Sequence, residues 1–270
     1  MIERTVGFVG AGKMADALVG GMIAAGAAAA ERLYVADPAE ERRRLFSARL
    51  GARVLADNAE LARACDVIVL SVKPQIVPHA CRDLTAALTP GHLVASIAAG
   101  VPLDALRGML GTERLVRIMP NTPALVRAGA AAYCVGPGAT DADAMLIDEM
   151  LRSVGLCVRV DEGQMDAVTG LSGSGPAYVY LVIEALTDAG AAAGLPRDVA
   201  GRLAAQTVLG AGRMAAEVGR SPAELRADVT TPGGTTEQGL RALEAGGVRT
   251  AFVKAVAAAT ERSRQLAGGG

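Results

Sequence analysis

Short apolar segments alternate with helical patterns along residues 1–160 of the chain. Segments of strand character lie at 5–9, 32–36, 67–72, 93–97, 114–119, 130–135 and 156–160. Amphipathic helical patterns lie between them, for example at 13–26, 39–49 and 140–153. Strands that alternate with helices predict βαβ units and a parallel sheet. Because segments such as VIVLSV are almost continuously apolar, we expect helices on both faces of this sheet.

The pattern changes after Asp161. Between residues 162 and 266 the periodicity is helical only, and turns rich in glycine and proline separate the segments. The expected helices lie at 163–170, 175–193, 197–218, 221–228, 235–246 and 248–266. The sequence therefore predicts an α/β domain over residues 1–161 and an all-α domain over residues 162–270.

The first strand leads into a helix through a glycine-rich turn. The segment VGFVGAGKMADA places Gly10, Gly12 and Ala15 in the arrangement G-x-G-x-x-[GA]. The first glycine allows a tight turn, the second lets a pyrophosphate approach the backbone, and the small third residue lets helix and strand pack closely. The helix N-terminus then offers free N–H groups to the phosphates. The turn predicts a dinucleotide-binding site.

The second strand ends at an acid that bears on which dinucleotide would bind. Asp37 is placed to accept hydrogen bonds from the adenosine ribose hydroxyls, which favours NADH. Arg42, Arg43 and Arg44 follow within two helical turns, and one of them could bind the 2′-phosphate of NADPH. The same arginines are also typical of a solvated helix face. The sequence leaves NADH and NADPH open.

Further strand ends are expected beside the cofactor, because open α/β sheets bind ligands at the carboxyl ends of their strands. They are SVKPQ at 71–75 and SIAAGVP at 96–102. Lys73 is a candidate contact to the ribose or the diphosphate, and Pro74 ends its strand. Asn121 lies between two prolines in RIMPNTPAL, a rigid turn at the next strand end.

Two loops in the helical half present unusual helix starts. In LSGSGPAYVY, Ser174 is predicted to cap a helix whose first turn holds Pro176. In TTPGGTTEQGL, two glycines and two threonines open another helix. Both loops offer backbone N–H groups and hydroxyls that suit a small carboxylate, although each alone is also typical of ordinary capping. We expect a substrate carboxylate around Gly233 to Thr235.

The composition argues against several other kinds of partner. The net charge is −1, aromatic residues make up 3% and tryptophan is absent, so no nucleic-acid or anionic membrane surface is indicated. Four cysteines without a C-x-x-C pair and only two histidines argue against a metal site. No signal peptide is recognisable, and the apolar stretch at 14–30 is too short to span a bilayer. We expect a cytoplasmic protein without metal, nucleic acid or membrane as partner.

Eight segments together indicate a family by their residues and their order along the chain. They are GFVGAGKMADALVGG, SVKPQ, SIAAGV, MPNTPALV, VTGLSGSGPAY, GLPR, AAQTVLGAGRM and TTPGGTTEQGLRALE. Over essentially the whole chain they closely resemble the pyrroline-5-carboxylate reductase family. The resemblance implies an α/β Rossmann-type N-terminal domain with a C-terminal all-α dimerisation domain, whose helices interleave with those of a partner subunit. Some members assemble into rings of dimers. It also implies reduction of L-1-pyrroline-5-carboxylate to L-proline with NADPH or NADH.

The resemblance also implies site residues by position. Expected cofactor contacts are Gly10, Ala11, Gly12, Lys13, Met14, Asp37, Asn58, Val72, Lys73 and Ala99, to which the strand ends add Ser71, Pro74 and Asn121. Expected substrate contacts are Glu162, Asp228, Gly234, Thr235 and Thr236, to which the loop arguments add Gly233 and Ser174. Some relatives carry Ser or Arg where this chain has Asp37, so their preference for NADPH does not carry over.

The implied reaction transfers a hydride to C5 of a cyclic imine, whose protonated form loses its charge. Placement is its main requirement, which agrees with the lack of a His, Tyr or Lys constellation for proton transfer. We expect Thr236 to hydrogen-bond the ring nitrogen.

Two other classes of function stay open as hypotheses, a related oxidoreductase and a non-catalytic sensor. A β-hydroxyacid dehydrogenase, or a broader imine reductase, would share the architecture. The dehydrogenase would need a base, usually Lys, on the helix at 175–193, where only Glu184 and Asp188 are charged. A non-catalytic dinucleotide sensor is the other alternative, although a sensor has no reason to keep the PGGTT loop.

Overall fold

A computed structural model describes residues 1–268 and contains an eight-stranded sheet in the order β3-β2-β1-β4-β5-β6-β7-β8. Its strands are β1 (Val6–Val9), β2 (Leu33–Ala36), β3 (Arg53–Leu55), β4 (Val67–Leu70), β5 (Leu93–Ser96), β6 (Leu115–Met119), β7 (Gly129–Val135) and β8 (Gly155–Arg159).

The helices follow the predicted alternation and then dominate the second half of the chain. They are α1 (Lys13–Ala24), α2 (Glu40–Leu50), α3 (Asn58–Ala64), α4 (Val77–Thr85), α5 (Leu103–Leu110), α6 (Asp141–Arg152), α7 (Met165–Val168), α8 (Gly175–Ala192), α9 (Arg197–Glu217), α10 (Pro222–Asp228), α11 (Thr235–Ala245) and α12 (Val248–Gly268). Short 3₁₀ turns lie at Ala30–Arg32, Pro74–Ile76, Thr122–Val126 and Glu162–Gln164, and a π-helical turn lies at Thr169–Gly173.

Every strand expected from the apolar segments forms, with ends within two residues of the prediction. The prediction missed β3 (Arg53–Leu55), which pairs with β2 at the edge of the sheet. Three residues are too few to show an alternating pattern, and Arg53 is exposed. Edge strands of this kind leave little hydrophobic signal because only part of their surface is covered.

The expectation of a wholly parallel sheet is wrong at β7, which runs antiparallel to β6 with Val116 opposite Val135. Only a 3₁₀ turn, Thr122–Val126, lies in the connection, and Arg127 after it has a left-handed φ of 56°. A parallel return requires a crossover of a dozen or more residues. The short link between β6 and β7 therefore dictates antiparallel pairing.

Helices cover both faces of the sheet, as the continuous apolar strands predict. On β4, Val67 and Val69 pack in the cluster that includes α1 and α6, whereas Ile68 and Leu70 pack in the cluster with α3, α4 and α5. All four β4 side chains are fully buried. The sheet is thus a rigid platform, and its strand ends are the places where polar groups and ligands can meet.

The chain divides into two compact units, one formed by residues 1–174 with 257–270 and the other by residues 175–256. This division differs from the predicted boundary after residue 161. Met165 is fully buried in the sheet unit, and Ser263 of α12 donates to the Asp166 carboxylate at 2.7 Å. Residues just beyond 161 therefore complete the core of the first unit.

The second unit consists of α8 to α11 and the first part of α12. Within it, α8 has no buried residue and α9 has two, Ala200 and Ala204. Large apolar side chains are correspondingly exposed on these helices, among them Leu181, Leu203 and Leu209. Across residues 1–268, none of the helices has both the length and the apolar character needed to cross a membrane.

A buried carboxylate joins the start of α6 to the sheet. Asp143 is fully buried, accepts hydrogen bonds from Thr140 in a capping box and pairs with Arg114 at 2.7 Å and Arg4 at 3.2 Å. Burial alone would raise the pKa of Asp143, but the hydrogen bonds from Arg114 and Thr140 outweigh it and hold that pKa below its ordinary value. The carboxylate is therefore ionised in the folded protein.

We expect Asp143→Asn to lower the free energy of unfolding by about 3–5 kcal/mol, because it breaks a buried ion pair and leaves the arginine without its counter-charge. Urea titration followed by circular dichroism measures this loss. The matched control is Asp104→Asn, because Asp104 pairs with Arg107 at 3.0 Å but its side chain is 82% exposed. An equal effect of both substitutions would contradict the analysis.

The same carboxylate gives a pH dependence. Because the folded pKa of Asp143 is lowered, the unfolded chain takes up the proton first as the pH falls. Its stabilisation is fully present above the unfolded pKa of about 3.9 and is lost as the pH falls through the folded value. We expect the wild-type protein to lose stability faster than Asp143→Asn below about pH 4.

Candidate active site

A cavity of about 670 Å³ lies at the carboxyl ends of β1, β2 and β4. β1 lies between β2 and β4, and the chain changes direction across the sheet at this point, which is the position where open α/β sheets bind ligands. The residues that line the cavity are Val9, Gly10, Ala11, Gly12, Lys13, Ala36, Asp37, Pro38, Arg42, Ala56, Asp57, Asn58, Ser71, Val72, Lys73, Ile76, His79, Ala80 and Asp83.

The glycine loop gives this cavity an open backbone wall. Gly10 has a φ of +103°, and a Cβ there would lie 2.8 Å from the Val72 side chain. Gly12 is different, because a Cβ there would meet only the Ser71 carbonyl at 3.8 Å. No other atom of residues 1–268 comes close enough to require glycine at position 12, so the missing side chain keeps space free in the cavity. Gly12 also begins α1 without a side-chain cap, which leaves helix N–H groups for an anion.

The end of β4 is tied to the glycine loop. The Ser71 hydroxyl lies 2.9 Å from the Val9 carbonyl and 2.8 Å from the Gly10 carbonyl. Lys73 precedes the 3₁₀ turn Pro74–Ile76, is exposed and lines the cavity. Ser71 therefore holds the loop, while Lys73 offers a positive charge to a ligand.

Acidic and amide groups close the far side of the cavity. Asn58 starts α3 and donates from Nδ2 to the Asp83 carboxylate at 3.0 Å. The Asp57 side chain caps the same helix by accepting from the Glu60 N–H at 2.8 Å. His79 lies 3.7 Å from Asp83. Asp57 and Asp83, the acids of this wall, therefore each accept a hydrogen bond from another group of the protein.

Four of the expected cofactor residues lie outside the cavity lining, namely Met14, Pro74, Ala99 and Asn121. Met14 packs against the core cluster that includes α1 and α6, and Ala99 is half-buried in the loop after β5. Asn121 uses both polar atoms within the protein, because Oδ1 accepts from the Ala130 N–H at 2.9 Å and Nδ2 donates to the Ser172 carbonyl at 3.0 Å. Asn121 thus fixes the π-helical turn beside β7.

Glu162 belongs to a charge cluster around the buried Arg117, which the sequence did not predict. Its Oε1 accepts from the Leu103 N–H at 2.6 Å, at the start of α5, and lies 3.7 Å from Arg117. Arg117 is 4% exposed and also lies 3.5 Å from Asp166. The available signal was an arginine inside the apolar strand segment RLVRIM, because a buried cation needs a carboxylate nearby.

The PGGTT loop, in the second unit, is shaped by its glycines. Gly233 has a φ of +74°, and a Cβ on Gly234 would overlap the Thr231 hydroxyl. The Gly233 N–H donates to the Glu237 carboxylate at 2.6 Å, and that carboxylate also pairs with Arg241 at 2.8 Å.

The amides in this loop are only partly available to a ligand. The Gly234 N–H donates to the Thr231 carbonyl at 2.9 Å, and the Gly233 N–H is used by Glu237. No side chain of the described residues caps the start of α11. The N–H groups of Thr235 and Thr236 are therefore the ones that remain for a carboxylate, and Thr235 belongs to the expected range Gly233 to Thr235. The role of Glu237 was not predicted, although an acid in the first turn of a helix is a sequence signal for such a contact to N–H groups at the helix start.

Two other expected substrate residues have local roles. Ser174 has helical dihedral angles (φ −86°, ψ −20°), and its N–H donates to the Thr169 carbonyl at 2.9 Å. An N-cap residue is extended, so the prediction that Ser174 caps a helix is wrong. The Asp228 carboxylate accepts from the Arg220 guanidinium, and this hydrogen bond lowers the pKa of Asp228.

The four cysteines provide no nucleophile. All four are buried, and burial raises the pKa of Cys65 and Cys157 to about 12 and that of Cys81 and Cys134 to about 11. Thiols with such pKa values are protonated at neutral pH and unreactive. Within residues 1–268, no group of three His, Cys, Asp or Glu residues is arranged to hold a metal ion.

The glycine loop, the free start of α1 and the position of the cavity define a Rossmann-type dinucleotide-binding domain. Residues 162–266 match the family model described as pyrroline-5-carboxylate reductase dimerisation, and residues 5–100 match the one described as NADP oxidoreductase coenzyme F420-dependent. The sequence is 48% identical to a pyrroline-5-carboxylate reductase of Pisum sativum, over 97% of this chain and 96% of that protein.

Solved structures agree over the full chain. A pyrroline-5-carboxylate reductase from Coxiella burnetii matches with a TM-score of 0.93 and 39% identity, covering 98% of this chain and 99% of that one. A Plasmodium falciparum pyrroline carboxylate reductase with NADP bound matches with a TM-score of 0.88 and 34% identity, covering 99% of each chain. The chain belongs to the pyrroline-5-carboxylate reductase family, and the predicted family and fold class are confirmed.

The two glycines of the loop can be separated experimentally. We expect Gly12→Ala to raise the dissociation constant of a nicotinamide dinucleotide about tenfold, roughly the effect of one lost charge-assisted hydrogen bond, with little change in stability. Gly10→Ala must place a side chain at positive φ against Val72, so it should cost about 1–3 kcal/mol of folding free energy. Calorimetric titration and thermal unfolding measure the two effects. A large stability loss in Gly12→Ala would contradict this assignment.

Proposed function

We propose that this protein catalyses the NAD(P)H-dependent reduction of L-1-pyrroline-5-carboxylate to L-proline, with hydride transfer to the imine carbon C5. The observation that carries the proposal is a cavity whose wall is left open at Gly12, in a chain 48% identical to a pyrroline-5-carboxylate reductase of Pisum sativum. Bound NAD(P)H supplies the hydride. The protein supplies binding, orientation and electrostatics.

The start of α11 is the proposed receptor for the substrate carboxylate. The N–H groups of Thr235 and Thr236 lie at a helix terminus without a side-chain cap, where the helix dipole favours an anion. Gly233 and Gly234 give the loop its shape. Glu162, Ser174 and Asp228 remain proposed neighbours of the substrate, supported by family membership rather than by their local contacts.

Thr236 is the proposed partner of the ring nitrogen. Its side chain is exposed at the second position of α11, so its hydroxyl is accessible to a ligand. A hydroxyl both donates and accepts, so it can bind the imine nitrogen in its protonated form and the amine that follows. Because the iminium charge disappears when hydride arrives, no strong acid is needed in that step.

We expect Thr236→Ala to lower kcat/KM by about one to three orders of magnitude while the dinucleotide dissociation constant stays nearly unchanged, because only the substrate loses a partner. Thr236→Ser keeps the hydroxyl and is the matched control, expected to retain most of the activity. Steady-state kinetics with fluorescence titration of NADPH separate the two parameters. Unchanged kinetics in Thr236→Ala would remove this residue from the mechanism.

The direct test of the function is oxidation of NADPH and NADH followed by absorbance after addition of L-1-pyrroline-5-carboxylate. Stoichiometric formation of proline with at least one cofactor is the expected result. Absence of oxidation with both cofactors, in protein that binds either, would overturn the reductase and favour a dinucleotide sensor.

Self-association is the second part of the proposal. The helices of the second unit expose the large apolar side chains of Tyr180, Leu181, Leu203, Leu209 and Phe252, and exposed apolar surface of this kind marks protein–protein contacts. We assign these faces to a second copy of the chain, as a dimer or a ring of dimers. Residues 1–161 would then bind the cofactor, and residues 162–270 would bind substrate and form the dimer.

A cytoplasmic location completes the proposal, without nucleic acid or membrane as partner. It is supported by the free state of Cys65, Cys81, Cys134 and Cys157, which suits a reducing compartment. The nearly balanced charge, −1, gives no electrostatic attraction to polyanions.

We expect light scattering of the wild-type protein at micromolar concentration to give at least twice the mass of one chain. Leu181→Glu places a charge on an exposed apolar position of α8 and should shift the protein towards monomers, because burying that charge in an interface is costly. Glu244→Ala on α11, where Glu244 pairs with Arg249, is the control. A monomeric wild-type protein would contradict the proposed assembly.

A further inference from the structure

Arg117 is a charged side chain inside an apolar strand. In β6 it lies between Val116 and Ile118, which are both fully buried, and it is itself 4% exposed. Replacing a buried ion pair with apolar side chains of similar size often leaves stability unchanged or raises it. Core packing therefore gives no reason for an arginine at this position, and the reason has to lie in the groups that it contacts.

The strand register places Arg117 at the level of the ligand-binding edge of the sheet. Arg117 lies beside Ser96, the last residue of β5, and Ser96 lies beside Leu70, the last residue of β4. Leu70 in turn pairs with Val9 of β1, which lines the dinucleotide cavity. Because ligands of open α/β sheets bind at this edge, a charge held here can influence a bound substrate.

Two carboxylates one helical turn apart share the guanidinium. Arg117 Nη1 lies 3.7 Å from Glu162 Oε1, and Nη2 lies 3.5 Å from Asp166 Oδ1. Asp166 also accepts from the Ser263 hydroxyl at 2.7 Å, so it is bound from two sides. Like charges four residues apart on a helical turn repel each other. The guanidinium therefore stabilises an arrangement that the two acids would not adopt alone.

Glu162 is engaged through only one of its oxygens. Its Oε1 accepts from the Leu103 N–H at 2.6 Å, where α5 begins, and the same atom faces Arg117. The Glu162 side chain is 38% exposed. Both contacts fix the direction of the carboxylate, and Oε2 is the oxygen that they leave for a ligand.

The other buried arginine of this unit shows a different arrangement. Arg114 donates to both oxygens of Asp143, at 2.7 and 2.8 Å, and Asp143 is fully buried. That ion pair engages its carboxylate completely within the protein. The longer contacts of Arg117 orient an acid that is still partly open to solvent, which suits a site better than a purely structural link.

We propose that Arg117 is a positioning residue of the reduction, which holds Glu162 so that Oε2 of this carboxylate faces the imine substrate. The proposal rests on the proposed function, in which Glu162 is a neighbour of the substrate. Arg117 is too deeply buried to touch the substrate itself and acts through Glu162.

The effect expected from this arrangement is on substrate binding. A carboxylate beside the ring attracts the positive charge of the protonated imine, in addition to the contact with Thr236. Because that charge disappears as hydride arrives, the attraction acts on binding more than on the chemical step. Without the guanidinium, repulsion from Asp166 turns the half-buried Glu162 towards water, and the substrate loses this partner.

The test measures KM and kcat for L-1-pyrroline-5-carboxylate at saturating NADPH, together with the NADPH dissociation constant. We expect Arg117→Met to raise KM about 10- to 30-fold, the loss of one charge-assisted contact, with kcat within about threefold and NADPH binding unchanged. Arg117→Lys keeps the charge and should restore KM to within about threefold of the wild type. Arg114→Met is the matched control, which should lower thermal stability but leave KM within about twofold.

A double variant tests whether Arg117 acts through Glu162. We expect Glu162→Gln to raise KM about as much as Arg117→Met, and Arg117→Met added to Glu162→Gln to raise it less than about twofold further. The double variant has no unpaired Glu162 carboxylate, so its comparison with Glu162→Gln decides the question even where Arg117→Met alone does not fold.

Three outcomes would overturn the proposal in a wild-type protein that reduces the imine. They are an unchanged KM in folded Arg117→Met, fully additive effects in the double variant, and an equal rise of KM in Arg114→Met. Each of them leaves the proposed function standing. A wild-type protein that does not reduce the imine would refute the proposed function and this proposal together.

Discussion

The glycine loop after β1 has few side chains with which to hold its own conformation, so neighbouring strands must fix it through hydrogen bonds. The geometry of the cofactor cavity in the sheet unit depends on this constraint. The Gly10 N–H donates to the Ala36 carbonyl at 2.7 Å, the Ala11 N–H donates to Asp37, and Ser71 closes the loop from β4. These contacts fix the three strand ends around one opening. The cavity beside Gly12 exists because β1, β2 and β4 are tied together at that level.

The second unit depends on a different constraint, the shortage of surface that a few helices can bury by themselves. α8 and α9 pack together, with the Cβ of Ala200 close to Gly190, yet most of their large apolar side chains remain outside. Such helices gain their stability from tertiary or quaternary packing of the apolar face. Folding of this half and association of subunits are thus parts of one process in the proposed assembly.

The sequence predicted most of this fold because its signals are local. Fully apolar strands such as β4 and the glycine turn at Gly10 are determined by their own residues, and the predicted strand ends lie within two residues of those in the structure. The reversal at β7 was missed, since it depends on a short connection and on the left-handed Arg127. The edge strand β3 was missed because an exposed three-residue strand leaves no periodic pattern.

The candidate site likewise contains some features that the sequence predicted and others that it could not. Residue types and spacing indicated Gly12, Lys73 and the PGGTT loop, because backbone access and charge are properties of the residue itself. Spacing could not show that Asp37 faces Ala11 or that Glu237 takes the Gly233 N–H. Such orientations depend on competing donors that lie far apart along the chain or on the choice of rotamer, which no linear pattern encodes.

The burial of all four thiols has a practical consequence for anyone who studies how this molecule opens. Cys65 directly follows α3, whereas Cys81 lies in α4, Cys134 in β7 and Cys157 in β8, and all four are buried. An alkylating reagent can reach them only when the surrounding segment separates from the sheet. The alkylation rate of each native cysteine therefore reports how often its own part of the domain opens, and no probe has to be introduced.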